Sequence, residues 1–171
     1  MPETKDLILR RAVLEDWRGM YYNLWRHPES AKYMLWNVTT SEEDAVARME
    51  RTIAFQAAHD HHWLVVEKGS GQAIGFAGLE IPEPGVCSET GVALGPDFVG
   101  KGYGTQILNA LVEYARDELG AKQFKACCRE QNAASRNLQL SCGFHYTHSE
   151  NKVDPRDGSA YVMEYYEKKL C

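Results

Sequence analysis

The chain has no apolar run approaching the ~18 residues needed to cross a bilayer as a helix, so no membrane partner is expected. It also lacks any C-x-x-C pair. Its cysteines stand singly at Cys87, Cys142 and Cys171 or side by side at Cys127 and Cys128, a spacing that suits neither a disulfide framework nor a zinc site. No basic stripe is present. Leu9-Arg10-Arg11 is followed by acidic residues, and a formal charge of −5 argues against a nucleic-acid partner. Repeats, low-complexity linkers and an apolar leader after Met1 are likewise missing. These absences, with an odd number of cysteines, predict one domain over residues 1–171, reduced thiols in a cytoplasmic setting, and no bound metal. At this length a core can form without staples.

What is present is periodicity. Leu7-Ile8-Leu9 reads as a first strand. Trp17, Met20, Tyr21, Leu24 and Trp25 recur at helical spacing between Asp16 and Trp25, and Pro28 opens a short second helix through Tyr33 and Met34. Thr40 to Asp44 offers two overlapping capping boxes, Thr40 with Glu43 and Ser41 with Asp44. Ala45, Met49, Ile53 and Ala57 follow at i+4, so a third helix should end near His59. Strands are expected at Trp63–Glu67, Ala73–Ile81 and from after Pro82-Glu83-Pro84-Gly85 to Leu94. A long helix is predicted from Thr105 to Leu119, closed by Gly120. A strand over Phe124–Cys128, with Cys127 and Cys128 on opposite faces, a helix capped by Asn132 and stopping at Gly143, and two final strands complete the chain. The order implies an α/β (α+β) fold: a mixed, mostly antiparallel sheet of about seven strands with helices on both faces.

Between the third of these central strands and the long helix lies Gly95-Pro96-Asp97-Phe98-Val99-Gly100-Lys101-Gly102-Tyr103-Gly104-Thr105. Alternate glycines let a backbone bend sharply and aim successive N–H groups one way. At a helix N-terminus such a turn favours phosphate, although glycines there can simply make a tight turn. Gly95 to Lys101 satisfies G-x-x-x-x-G-K, but the next residue, which should carry a hydroxyl for magnesium, is Gly102. Gly100, Gly102 and Gly104 read G-x-G-x-G and so miss the dinucleotide fingerprint G-x-G-x-x-G.

This stretch resembles the pyrophosphate loop of the GNAT superfamily, Gln/Arg-x-x-Gly-x-Gly/Ala, with Gly102 and Gly104 at its glycines and Val99 where Gln or Arg is usual. Ile74-Gly75-Phe76 and Glu89 to Leu94 are similar to the family's third and fourth strands. Asn132-Ala133-Ala134-Ser135 with Cys142-Gly143-Phe144 is similar to its N-x-x-S and G-F motifs. The amino-terminal third resembles the ribosomal-protein N-terminal acetyltransferase branch (RimJ/RimL-like).

That resemblance implies an N-acetyltransferase that moves the acetyl group of acetyl-CoA to a primary amine, a protein N-terminus or a small amine, within one ternary complex. It implies that Val92, Ala93 and Leu94 pair with the pantetheine arm. Gly100, Lys101, Gly102, Tyr103, Gly104 and Thr105 would take the pyrophosphate, with Asn132 and Ser135 beside the arm. Such chemistry needs a general base within reach of the amine, for which Glu80 and Glu89 are both candidates. His61 and His62 precede a strand and read as surface. The family often places a tyrosine acid four residues before the G-F glycine. Gln139 stands there and cannot serve, so Ser135 or a water is the expected donor. Trp25, Tyr33, Trp36 and Asp154-Pro155-Arg156-Asp157-Gly158 are candidate walls for the acceptor, with core packing the plainer role for the aromatics. Two rival readings are a non-catalytic acyl-CoA sensor and an ATP-dependent enzyme. The sequence leaves a homodimer open.

Overall fold

The computed structural model describes residues 1–171. Seven strands form a single sheet: β1 (Leu7–Arg10), β2 (His62–Glu67), β3 (Ala73–Glu83), β4 (Val86–Leu94), β5 (Gln123–Arg129), β6 (His145–Val153) and β7 (Ala160–Lys169). Their order across the sheet is β1-β2-β3-β4-β5-β7-β6, and every pairing is antiparallel except β4 with β5. The predicted architecture is the one observed. The helices are α1 (Trp17–Met20), α2 (Pro28–Ala31), α3 (Glu42–Ala58), α4 (Tyr103–Asp117) and α5 (Ala133–Ser141).

The central strands are buried on both faces, which is why His62–Glu67 reads as an almost unbroken apolar run. Trp63 and Val65 join Leu7, Leu9, Ile74, Leu79 and Phe124 beneath Ile107, Leu108 and Leu111 of α4. Leu64, Val66, Ala73 and Ala93 face the other way, against Met20, Leu24, Trp25, Ala45 and Met49. Each large aliphatic buried in these two layers contributes about 1.5–3 kcal/mol. Gly95 and Gly75 permit two close approaches. A Cβ on Gly95 would fall 2.1 Å from the Asn23 carbonyl, and one on Gly75 2.1 Å from the Ala93 carbonyl.

Local chemistry explains the boundaries. Ser41 caps α3, its Oγ accepting from the Asp44 N–H at 3.1 Å, which is the Ser41 half of the second of the two overlapping boxes. The apolar stripe is buried at Ala45 and Met49 but ends at Gln56, whose Oε1 accepts the Ala12 N–H; Ala57 is exposed. After α1 the chain widens into a π-turn over Tyr21–Trp25. α2 stops at Ala31, short of Tyr33 and Met34; the Ala31 carbonyl accepts from the Met34 N–H at 3.1 Å and from Arg156 Nη1 at 3.0 Å, and the Trp36 carbonyl also accepts from Arg156 Nη1 at 3.0 Å. β3 runs on to Glu83, so the turn contracts to Pro84-Gly85, with Gly85 at φ 80°. α4 begins two residues earlier than predicted, and Gly120 at φ 66° closes its C-terminal turn. All five cysteines are free, Cys128 buried and Cys127 on the opposite face. No group of three or more His, Cys, Asp or Glu side chains is placed to hold a metal ion, and no helix is long and apolar enough to cross a membrane.

Candidate active site

The parallel pairing of β4 with β5 covers only Val86–Ser88 against Gln123–Lys125. Beyond Ser88 the strands part, while β5 stays paired with β7 as far as Arg129. A gap therefore opens in the sheet's centre from Glu89 onward. On its other edge β4 steps from Gly78↔Gly91 to Leu79↔Glu89, so Thr90 is the extra residue of a bulge. The Gly95 N–H donates to the Ile74 carbonyl at 2.8 Å. Two-residue alternation in an antiparallel ladder then commits Ala93 and Gly91 to β3. It leaves the N–H and C=O groups of Val92 and Leu94 pointing into the gap. Of the three expected cofactor contacts on this strand, Ala93 has its backbone turned away.

The glycine loop lies beyond the end of β4. Gly100 has φ 78° and Gly102 φ 80°, and no residue other than glycine in the chain has a positive φ. Left-handed residues alternating with right-handed ones form a concavity of N–H groups. Gly102 is the residue before α4, and the first amide of this region to find an acceptor is Gln106, bonded to the Gly102 carbonyl at 3.2 Å. The amides from Gly100 to Thr105 are thus free to bind an anion at the positive end of α4. Gly104 does different work: a Cβ there would meet Leu138 Cδ2 at 3.2 Å, so it lets α5 pack close. The Tyr103 hydroxyl donates to Glu67 Oε2 at 2.7 Å, leaving only its backbone for a ligand. Lys101 Nζ sits 4.0 Å from Glu67 Oε2 and 5.3 Å from the Phe98 ring centre, half-exposed.

The two glutamates part company. Glu80 is exposed, near the end of the covered part of β3. Glu89 sits on the gap, opposite the buried Leu79, with no donor or cation bound to it; burial alone pushes its carboxyl up to about 7. Asn132 Oδ1 accepts the Ser135 N–H at 3.2 Å, capping α5 as expected. Ser135 Oγ lies 3.4 Å from Gln139 Nε2, which also donates to the Cys127 carbonyl at 3.1 Å. Gln139 is 3 % exposed, yet its Oε1 has no partner.

Residues 6–145 match the family of acetyltransferase (GNAT) domains. The chain belongs to the GNAT acetyltransferases. A curated relative, the uncharacterized N-acetyltransferase p20 of Bacillus licheniformis, is 27 % identical over 146 residues, 82 % of this chain and 80 % of its own. Among solved structures, the Microcin C7 self-immunity acetyltransferase MccE in complex with acetyl-CoA and AMP superposes with a TM-score of 0.81. It is 22 % identical and covers 98 % of this chain and 94 % of that one. RimL, a ribosomal-protein alpha-N-acetyltransferase solved with coenzyme A, gives 0.79 at 18 % identity over 99 % and 97 %.

For several residues of this GNAT domain that the sequence singled out, the structure changes or narrows the reading. His62 is partly buried rather than surface: its Nε2 lies 2.9 Å from Thr90 Oγ1, and its Nδ1 is buried without a partner. Burial first, then His59 and His61, hold it below its ordinary pKa. Its place opposite Gly78 follows from a register that adjacent histidines cannot reveal. Asp154 and Arg156 do not simply line a wall. Asp154, 2 % exposed, is bound by Arg129 at 2.7 Å and by Arg156 at 2.8 Å, and Arg156 in turn holds the Ala31 and Trp36 carbonyls. Trp25 is core, as the plainer role had it. Trp36 is partly buried and stacks on Arg48.

Proposed function

We propose that this GNAT domain transfers the acetyl group of acetyl-CoA to a primary amine by direct attack in a ternary complex, with Glu89 as the general base. The observation that carries the proposal is the coincidence, at one end of the strand gap, of the unpaired backbone edge of Val92 and Leu94 with a carboxyl that titrates near neutrality. The pantetheine arm would complete the ladder that β5 abandons, and the amides of Gly100 to Thr105 would take the pyrophosphate. Acetyl-CoA brings an already activated thioester. What the chain must supply is therefore alignment, a neutral amine and donors for the developing oxyanion. A base with pKa near 7 is charged enough to accept a proton and basic enough to hold it. Ser135 Oγ, 3.4 Å from Gln139 Nε2, or a water would return a proton to the leaving thiolate. A thiol of pKa ~8.5 needs little help to leave.

RimL's name assigns it a protein N-terminus, and its fold covers nearly this whole chain, which favours the amine class without naming the acceptor. The test is a thermal-unfolding titration with acetyl-CoA and, separately, magnesium-ATP. A ligand at about 100 times its dissociation constant adds ~2.7 kcal/mol to the native state. Stabilisation by acetyl-CoA alone is expected. A response to magnesium-ATP alone would overturn the reading.

A further inference from the structure

On the outer side of α3 a groove of about 590 Å³ runs between the helix and the segment Trp36–Thr40. Its charged lining consists of Asp44, Arg48 and Arg51. Arg48 is clamped between two indoles, 4.6 Å from the Trp25 ring centre and 4.8 Å from that of Trp36. Its Nη1 donates to the Asn37 carbonyl at 3.2 Å and to Thr39 Oγ1 at 3.0 Å. Neither arginine pairs with a carboxylate, although Asp44 lies one turn from Arg48 on the same helix face. Burial, and then the charge of Arg51, bring the Arg48 guanidinium down to about 10. The Trp36 Nε1–H is buried and has no acceptor. Two cations one turn apart, neither paired with a carboxylate, thus line one groove, with Trp36 in its wall.

The groove adjoins the proposed site of acetyl transfer. Phe55, at its far end, meets His62 edge-on at 5.0 Å, and His62 is bonded to Thr90, the bulge residue next to Glu89. Met34, from the segment leading into Trp36, approaches Gly91. A molecule whose amine reaches Glu89 could therefore extend past His62 and Phe55 into the groove.

We infer that this groove binds an anionic oxygen group, a carboxylate or a phosphate, carried by the amine acceptor, so that the preferred acceptor is an amine bearing a negative charge rather than a polycation. Arg48 and Arg51 would bind the anion. The route to Glu89 rests on the acetyl-transfer reading; the anion site itself does not.

Isothermal titration of the full-length chain with two matched pairs tests it: phosphoethanolamine against ethanolamine, and glycylglycine against glycylglycinamide. At least one member carrying the anionic group should bind about 10-fold or more tightly than its counterpart without it, the scale of a charge-assisted hydrogen bond. Which pair discriminates tells phosphate from carboxylate. Arg51→Gln should abolish that preference. Arg51 is exposed and has no ion-pair partner, so this variant keeps the fold, which its melting temperature verifies. Equal binding within both pairs, no binding of either member carrying the anionic group, or a preference that survives Arg51→Gln would overturn the inference. Acetyl-CoA titrated into the same protein separates the two readings. Failure there removes the acetyl-transfer proposal and leaves the groove standing, whereas loss of anion preference alone removes only the groove.

Discussion

Glu89 and Glu80 were equivalent candidates in the sequence because strand alternation cannot be carried through a bulge that is not yet known. The extra residue at Thr90 is what separates Glu89 from its glycine neighbour and sets it on the gap. The proposed role of Glu89 as base, its carboxyl raised by burial to about 7, makes two predictions. Glu89→Gln should lower kcat by roughly 10²–10⁴ and remove the limb of the pH–rate profile that rises near pH 7, whereas Glu80→Gln should leave both unchanged. Steady-state thiol release across pH 5.5–9 (a range of about 3.5 units around the carboxyl) measures this. Stability should move the opposite way. The folded-state pKa lies above the unfolded value, so the native state holds the extra proton and is favoured at low pH. That advantage is lost as pH rises from about 4.5 to about 7. Glu89→Gln should therefore be more stable than the parent at pH 8, by roughly 1–3 kcal/mol, and indistinguishable from it at pH 4. Denaturant unfolding at the two pH values checks the sign.

Among the elements, the glycine loop and the helix after it were the most legible, because glycine spacing and a 3.6-residue stripe are both written locally. The strand gap was not. It depends on how far β4 and β5 stay paired, a long-range fact that no window of sequence contains, and so Ala93 could not be told from Val92 and Leu94. The loop's glycines also proved unequal. Gly102 holds a left-handed backbone directly before α4, while Gly104 makes room for Leu138. Gly102→Ala should cost about 1–2 kcal/mol in stability and weaken acetyl-CoA binding at least several-fold, since relieving the strain re-aims the free amides. Gly104→Ala meets only the end of a leucine side chain and should change acetyl-CoA affinity little. Calorimetric dissociation constants for the two variants compare the roles; equal losses would mean that the backbone conformation at Gly102 is not what binds the ligand.

At the scale of the whole molecule, Asp154 joins segments far apart in the chain. It lies after β6, is bound by Arg129 at the end of β5, and through Arg156 fixes the carbonyls of Ala31 and Trp36 in the amino-terminal third. The sequence marked 154–158, before the last strand, only as a candidate wall for the acceptor. Its use as a brace shows only once Arg129, Ala31 and Trp36 are brought together. Arg156 first, then Arg129, hold the Asp154 carboxyl well below the usual carboxylate range. A depressed carboxylate stabilises the native state above its unfolded pKa, and that stabilisation is lost as pH falls below it. Asp154→Asn should therefore lower the melting temperature at pH 7 more than Asp117→Asn, which breaks only the exposed pair with Arg116, and the deficit should shrink as pH is lowered into the acid range. Because the brace reaches Trp36 and not the glycine loop, the same variant should raise KM for the amine while leaving the acetyl-CoA dissociation constant near the parent value. An Asp154→Asn protein that lost both affinities equally would show that the two halves of the cleft are not held independently.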